Sequence, residues 1–164
     1  MSTSSLLPPD VVAIMARGVS VIAASRDAQL RPSIMRAVGS SVDEGGRSIT
    51  IFVSRRQSRQ LLQDIAATGH IAVVFGEPST HRTVQVKATR AALRDARRED
   101  EPGLARYLLS MEREIAHIGQ PPSFTRAMLA HRLEDLVAIT FEPEEAFEQT
   151  PGPRAGEPLQ GSAR

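Results

Sequence analysis

Residues 82–93 read RTVQVKATRAAL, a single expected strand, and the two-residue period of its RTVQVKA portion is the firmest constraint the chain carries on its fold. Successive side chains of a strand point to opposite faces. Val84, Val86 and Ala88 therefore share one face, and Thr83, Gln85, Lys87 and Thr89 the other. Apolar, β-favouring runs recur at residues 19–25 (VSVIAAS), 33–42 (SIMRAVGSSV), 48–53 (SITIFV), 70–75 (HIAVVF) and 136–142 (LVAITFE). In SITIFV, Ile49, Ile51 and Val53 alternate with Ser48, Thr50 and Phe52. DEGGR (residues 43–47) reads as a hairpin connection, because glycine supplies the positive φ of tight turns. So many antiparallel neighbours with few helices between them predict an α+β chain around a closed or nearly closed barrel of six strands.

The helical segments carry a different period. PPDVVAIMARG reads as a short helix, with Asp10 at its positive end and Gly18 as its stop. Leu61, Leu62, Ile65 and Ala66 form an apolar stripe closed by Gly69. Leu104, Leu108, Met111, Ile115 and Ile118 form a longer one. SFTRAMLAHR reads as a short helix capped by Ser123. Residues 1–147 are expected to form one domain. Residues 148–164 form a tail rich in Pro and Gly, its last several residues expected to be disordered.

Composition removes several classes of function. There is no cysteine, so disulfides, thiolate metal sites and a cysteine nucleophile are excluded. Lys+Arg (20) nearly matches Asp+Glu (19), and one Tyr with no Trp leaves little to stack on bases, which argues against nucleic-acid binding. No apolar run reaches the ~18 residues of a membrane span. The start MSTSSLLPPD lacks the pattern of a secretory signal, so a cytoplasmic location is the expectation. His70, His81, His117 and His131 have no metal-site spacing, and Glu112 and Glu114 cannot share a helix face. Ser20, Ser33 and Ser110 lack the glycine-flanked elbow of a hydrolase nucleophile, and there is no GxGxxG or P-loop. No residue is assigned a catalytic role.

One polar cluster stands out. Three arginines and two serines occupy residues 54–59, between a strand and an amphipathic helix, in VSRRQSRQLLQDI. A helix N-terminus offers unpaired N–H groups and partial positive charge, and arginine adds a fork matched to phosphate oxygens. A solvated turn and an anion site both account for the cluster. Arg36 inside the apolar SIMRAVG needs solvent, a partner or an anion. Thr83, Gln85 and Lys87 line the polar face of their strand, which any half-buried antiparallel sheet shows. Together these segments contain donors for a phosphate and for a flat, hydrogen-bonding ring.

RPSIMRAVG, SRRQSRQLLQDI and HRTVQVKA, in this order among the other elements, resemble the pyridoxamine 5′-phosphate oxidase-related family over roughly residues 6–143. This is the FMN-binding split β-barrel, and FEQTPGPRAG resembles the tail of an uncharacterised branch within it. The resemblance implies a six-stranded antiparallel split β-barrel with flanking helices. It implies a homodimer with FMN at the interface, acting as a flavin-dependent oxidoreductase on a small molecule that the sequence does not specify. By position, Arg36 with Ser54, Arg55, Arg56, Gln57 and Ser58 would grip the phosphate. Thr83, with Gln85 and Lys87 nearby, would lie along the ring. Gln57 stands where the oxidases often carry lysine, and Thr83 where they carry glutamine. LVAITFEPEEAF lacks their arginine-and-histidine substrate motif, so the resemblance is to a relative, not to the vitamin B6 oxidase. A deazaflavin-dependent reductase and a non-catalytic protein that binds flavin or another phosphate-bearing ligand are the alternatives.

Overall fold

Adjacent residues Ala37 and Val38 donate their backbone N–H groups in different directions, to Val21 O (2.9 Å) and to Phe52 O (2.8 Å). At that point the chain passes from one sheet into a second. The computed structural model describes residues 6–159. In chain order these form α1 (Pro9–Ala16), β1 (Ser20–Arg26), β2 (Pro32–Arg36), β3 (Gly39–Val42), β4 (Ile49–Ser54), α2 (Arg59–Thr68) and β5 (Ile71–Gly76). They continue with β6 (Thr83–Ala88), β7 (Ala92–Asp95), α3 (Glu101–His117), α4 (Pro122–Met128), β8 (Leu136–Phe141) and β9 (Glu145–Glu148). One sheet has the order β2-β1-β5-β6-β9 and the other β3-β4-β8-β7, and every pairing is antiparallel.

The α+β class agrees with the sequence reading, but the described residues hold nine strands where six were expected. Two of the expected strands are each divided. Residues 33–42 break at Ala37 and Val38, and residues 82–93 break at 89–91, where Ala91 N donates to Gly69 O (2.9 Å). Each break carries the chain from one sheet to the other, as strands do where two packed sheets meet at a corner. The ninth strand, β9, comes from EAFE, which has too few apolar residues to announce itself and is paired to β6 by its backbone.

Between the sheets lies one apolar interior. Val21, Ala23, Val73, Phe75, Val84 and Val86 from the five-stranded sheet meet Ile49, Ile51, Val53, Ile139 and Phe141 from the other. Helix α1 adds Val11, Ile14 and Met15, and α3 adds Tyr107, Met111 and Ile115, while Leu104 of α3 packs in a second, smaller cluster with Val38, Phe52, Leu136 and Ala138. Ile118 falls past the last turn of α3 and is exposed, so the expected stripe ends one residue early. Helix α2 buries Leu61, Leu62 and Ile65 but leaves Ala66 exposed and buries Asp64 instead. Hydrogen bonds satisfy that carboxylate, from Ser33 Oγ (2.6 Å) and Gln60 Nε2 (2.8 Å). Helix α4 begins behind Pro121, which places Ser123 inside the first turn and not at the cap. No described helix is long and apolar enough to cross a membrane.

Residues 149–159 fold back along β9. Gly156 N donates to Glu148 O (2.7 Å), Glu148 N to Glu157 O (2.9 Å) and Leu159 N to Ala146 O (2.8 Å). That part of the tail is therefore hydrogen-bonded to the body. The expected disorder of the last residues concerns 160–164, which lie outside the described residues.

Gly69 ends α2 at φ 71°, and a Cβ there would sit 2.5 Å from the carbonyl oxygen of Thr89 at the second corner. Gly119 also has positive φ (86°) but faces open space. Gly119→Ala is expected to cost roughly 1–2 kcal/mol from backbone conformation alone. Gly69→Ala should cost clearly more, measured by urea denaturation of both variants.

Candidate cofactor-binding site

The outer face of the five-stranded sheet is built by alternation. Each inward residue is buried, and the residues between them remain half-open. Cross-strand register then sets the outward residues in rows. One row runs Arg36–Ile22–Val74–Gln85–Phe147 across all five strands. The next runs Ile34–Ala24–Ala72–Lys87–Glu145, and a third joins Ser20, Gly76 and Thr83. Four of the residues singled out in the sequence, Arg36, Thr83, Gln85 and Lys87, thus stand on one face. Arg36 and Gln85 are three strands apart, about 14 Å at the usual interstrand spacing. Between them lie Ile22 and Val74, flanked by Ala24, Ala72 and Gly76, a flat and mostly apolar floor.

Contacts fix the two ends of this face. Arg36 Nη1 donates to Ser20 Oγ (2.8 Å). Behind it, burial pushes the Tyr107 phenol far above its ordinary range, with the Arg36 charge acting the other way. The neutral phenol donates to Val19 O (2.6 Å). At the far end, Lys87 Nζ lies 4.9 Å from the centroid of the Phe147 ring, a cation–π pair. Thr83 is held by the tail: its N–H donates to Thr150 Oγ1 (3.0 Å), and Gln149 N donates to its carbonyl (2.8 Å). A hollow of about 360 Å³ adjoins Lys87 and is lined by Arg26, His70, Thr89 and Glu144 among others.

At the β4–α2 junction the arginine–serine cluster meets Asp135, in a single helical turn just before β8. Ser54 Oγ donates to Asp135 Oδ2 (2.6 Å), and Arg56 N to Oδ1 (3.3 Å), with Arg56 Nε 3.8 Å away. Arg55 pairs with Asp95 of β7. Gln57 is exposed and its N–H lies 3.4 Å from Ser54 Oγ. Ser58 precedes α2 and is 1% exposed, yet its hydroxyl has no hydrogen-bond partner, and no side chain caps the helix. Nothing in the sequence pointed to Asp95 or Asp135, which lie 40 and 81 residues from their partners. VSVIAAS was read only as a β-favouring run; its two-residue period is the signal that could have set Ser20, Ile22 and Ala24 on one face, though not their partners across the sheet. Among the described residues no group of His, Asp or Glu is arranged to hold a metal.

Two outcomes follow from these contacts. Asp135→Ala should destabilise the protein by about 1–3 kcal/mol in denaturant titration, since it strands a part-buried hydroxyl. The second concerns Glu148. Its burial works to raise the carboxyl, but hydrogen bonds from Thr150 and the charges of Arg82 and Arg154 prevail and hold it below the ordinary 4.5. Its stabilisation is therefore complete above pH 4.5 and lost as pH falls through the lowered value. Hydrogen exchange at residues 149–159 should accelerate over that acid range before exchange in β8 does.

No family model and no curated protein sequence matches the chain. Solved structures do. One is a proposed pyridoxamine 5′-phosphate oxidase from Lactobacillus delbrueckii, with TM-score 0.54 and 15% identity over 89% of this chain and 97% of that one. HupZ of Group A Streptococcus matches with TM-score 0.55 and 13% identity over 92% and 99%. An F420 reductase matches with TM-score 0.50 and 17% identity over 82% and 93%. At such identities likeness carries the fold and not the chemistry. The chain has the α+β fold of the pyridoxamine 5′-phosphate oxidase-like split barrels.

Proposed function

We propose that the chain binds FMN on the outer face of its five-stranded sheet and serves as a flavin-dependent oxidoreductase acting on a small molecule. The row Arg36–Ile22–Val74–Gln85–Phe147 is the observation that carries this reading. It sets a cation and an amide donor at either side of a floor of small apolar residues, which suits a planar ring with a phosphate at one end. The unpartnered Ser58 hydroxyl and the uncapped start of α2 supply further donors for an anion.

The residues fit the group with unequal roles. Arg36, Arg56, Ser58 and the first N–H groups of α2 would hold the phosphate. Ser54 and Arg55 are committed to Asp135 and Asp95 and act by shaping the turn. Gln57, neutral and exposed, adds at most a hydrogen bond. Gln85 would donate to the polar edge of the ring, and Lys87, steadied by Phe147, would place positive charge beside it. Thr83, pinned by the tail, would set the height of the strand's end. When bound, the flavin supplies the electron and hydride chemistry. The protein's part is to orient it, to exclude water from its apolar floor and to balance its charge.

Ile34 is 67% exposed on the same face as Ile22, Val74 and Phe147. A second copy of the chain laid on this face would cover that apolar area and close the site, so the reading includes a homodimer. The F420 reductase of like fold keeps a deazaflavin open as the cofactor, and a binding protein without turnover is the other reading.

An absorbance scan from 300 to 550 nm and titration with FMN test the proposal. Saturable binding is expected, weakened by Arg36→Ala and by Arg56→Ala by about 1.5–3 kcal/mol each, the worth of a hydrogen bond to a charged group. Arg97→Ala, outside the site, should leave it unchanged. Equal affinities in all three variants would overturn the phosphate assignment. Oxidation of reduced nicotinamide by the loaded protein would separate an enzyme from a binding protein.

A further inference from the structure

A second concavity lies where the end of α1, strand β3 and helix α3 come together. Its volume is about 610 Å³, larger than the 360 Å³ hollow beside Lys87. One wall is a single face of α3, with Gly103, Arg106, Ser110, Arg113 and His117 at spacings of three and four residues. Ser40, Ser41 and Val42 of β3 form the wall opposite, and residues 16–18 close one end.

The charges in this cleft are unevenly matched. Arg17 is paired with the buried Glu77, and Glu114 accepts from both Ser79 N (3.3 Å) and Ser79 Oγ (2.7 Å). Arg106 and Arg113, among the described residues, have no carboxylate within ion-pair distance. They stand seven residues apart on one helix face, about 10.5 Å along its axis. Gly103 leaves room beside the Arg106 guanidinium, 3.7 Å from where a Cβ would lie. The hydroxyls of Tyr107 and Ser110 are spent on Val19 O (2.6 Å) and Gly18 O (3.0 Å), which anchors the helical wall. Ser40 Oγ, in the opposite wall, is buried with no hydrogen-bond partner. A buried hydroxyl left unsatisfied is costly for a protein that binds nothing there, and the two guanidiniums that line the same cleft, exposed and without carboxylate partners, are free to take an anion.

We infer that this cleft binds an elongated small molecule with anionic groups at both ends. Arg106 takes one end and Arg113 the other, and the Ser40 hydroxyl bonds to it between them. The site shares none of these residues with the proposed flavin face, so the two readings stand or fall separately.

Calorimetric titration at fixed ionic strength with tripolyphosphate, and in parallel with inorganic phosphate, tests the inference. Tripolyphosphate should bind one to one and at least tenfold tighter than inorganic phosphate. Arg106→Gln and Arg113→Gln, both at exposed positions where folding is not at stake, should each weaken it tenfold or more. Ser40→Ala should weaken it severalfold, and Arg97→Gln should not change it. FMN affinity should be the same in Arg106→Gln as in the parent chain. Tripolyphosphate affinity unaltered in Arg106→Gln and Arg113→Gln, or lowered equally by Arg97→Gln, would overturn the site.

Discussion

Where Ala37 bonds to β1 and Val38 to β4, one strand serves two sheets, and the rest of the molecule is arranged around that sharing. Ala37 is fully buried, and any larger side chain at the corner would push the sheets apart. The second corner, at residues 89–91, leans on Gly69, whose missing side chain lets the Thr89 carbonyl approach. With both corners closed, the inward residues of nine strands contribute to one interior. The outward residues of the five-stranded sheet are then left in flat rows. The candidate cofactor face is thus a by-product of how the core is enclosed, and its residues are set by register and not by any loop.

The junction poses a competition that magnitudes can decide. Arg55 and Arg56 already have carboxylate partners, so a phosphate must displace them or fit beside them. Arg55 and Asp95 are 51% and 84% exposed, and Arg56, 80% exposed, lies 3.8 Å from Asp135. Pairs so open to water are worth about 0.2–1 kcal/mol. A charge-assisted hydrogen bond to phosphate is worth roughly 1.5–3 kcal/mol. Exchange at Arg56 therefore favours the anion, and the freed carboxylate stays bonded to Ser54. Asp135 is 21% exposed and receives the Ser54 hydroxyl at 2.6 Å. That bond is the part of the junction that keeps its shape whether or not an anion is present.

Much of this was legible in the sequence, and the misses have definite causes. The period of RTVQVKA placed Thr83, Gln85 and Lys87 outward because alternation is a property of one strand and needs no partner. The helix stripes at Leu61, Leu62 and Ile65, and at Leu104, Met111 and Ile115, were readable for the same reason. What could not be read was any feature that depends on distant pairing. Strand β9 exists because β6 offers it a backbone edge, and Asp64 is buried because Ser33 and Gln60 reach it. The strand breaks at 37–38 and 89–91 are likewise set by which neighbour each N–H finds. The arginine–serine cluster was found by composition, but its acidic partners at 95 and 135 come from a strand and a turn that only the fold brings near.

The short segment 18–20 links the two proposed binding surfaces. Gly18 O receives Ser110 and Val19 O receives Tyr107, so helix α3, which walls the anionic cleft, is tied here. Ser20 Oγ receives Arg36, which heads the cofactor row. The Tyr107 phenol remains protonated at any ordinary pH, because burial outweighs the opposing charge of Arg36, so its bond to Val19 is not switched by titration. Gly18 at φ 77° has a Tyr107 carbon 3.1 Å from where its Cβ would be, so a side chain there would push the helix off its mount. The geometry of the cleft wall and the reach of Arg36 are therefore referred to the same three residues, which gives both surfaces one rigid origin.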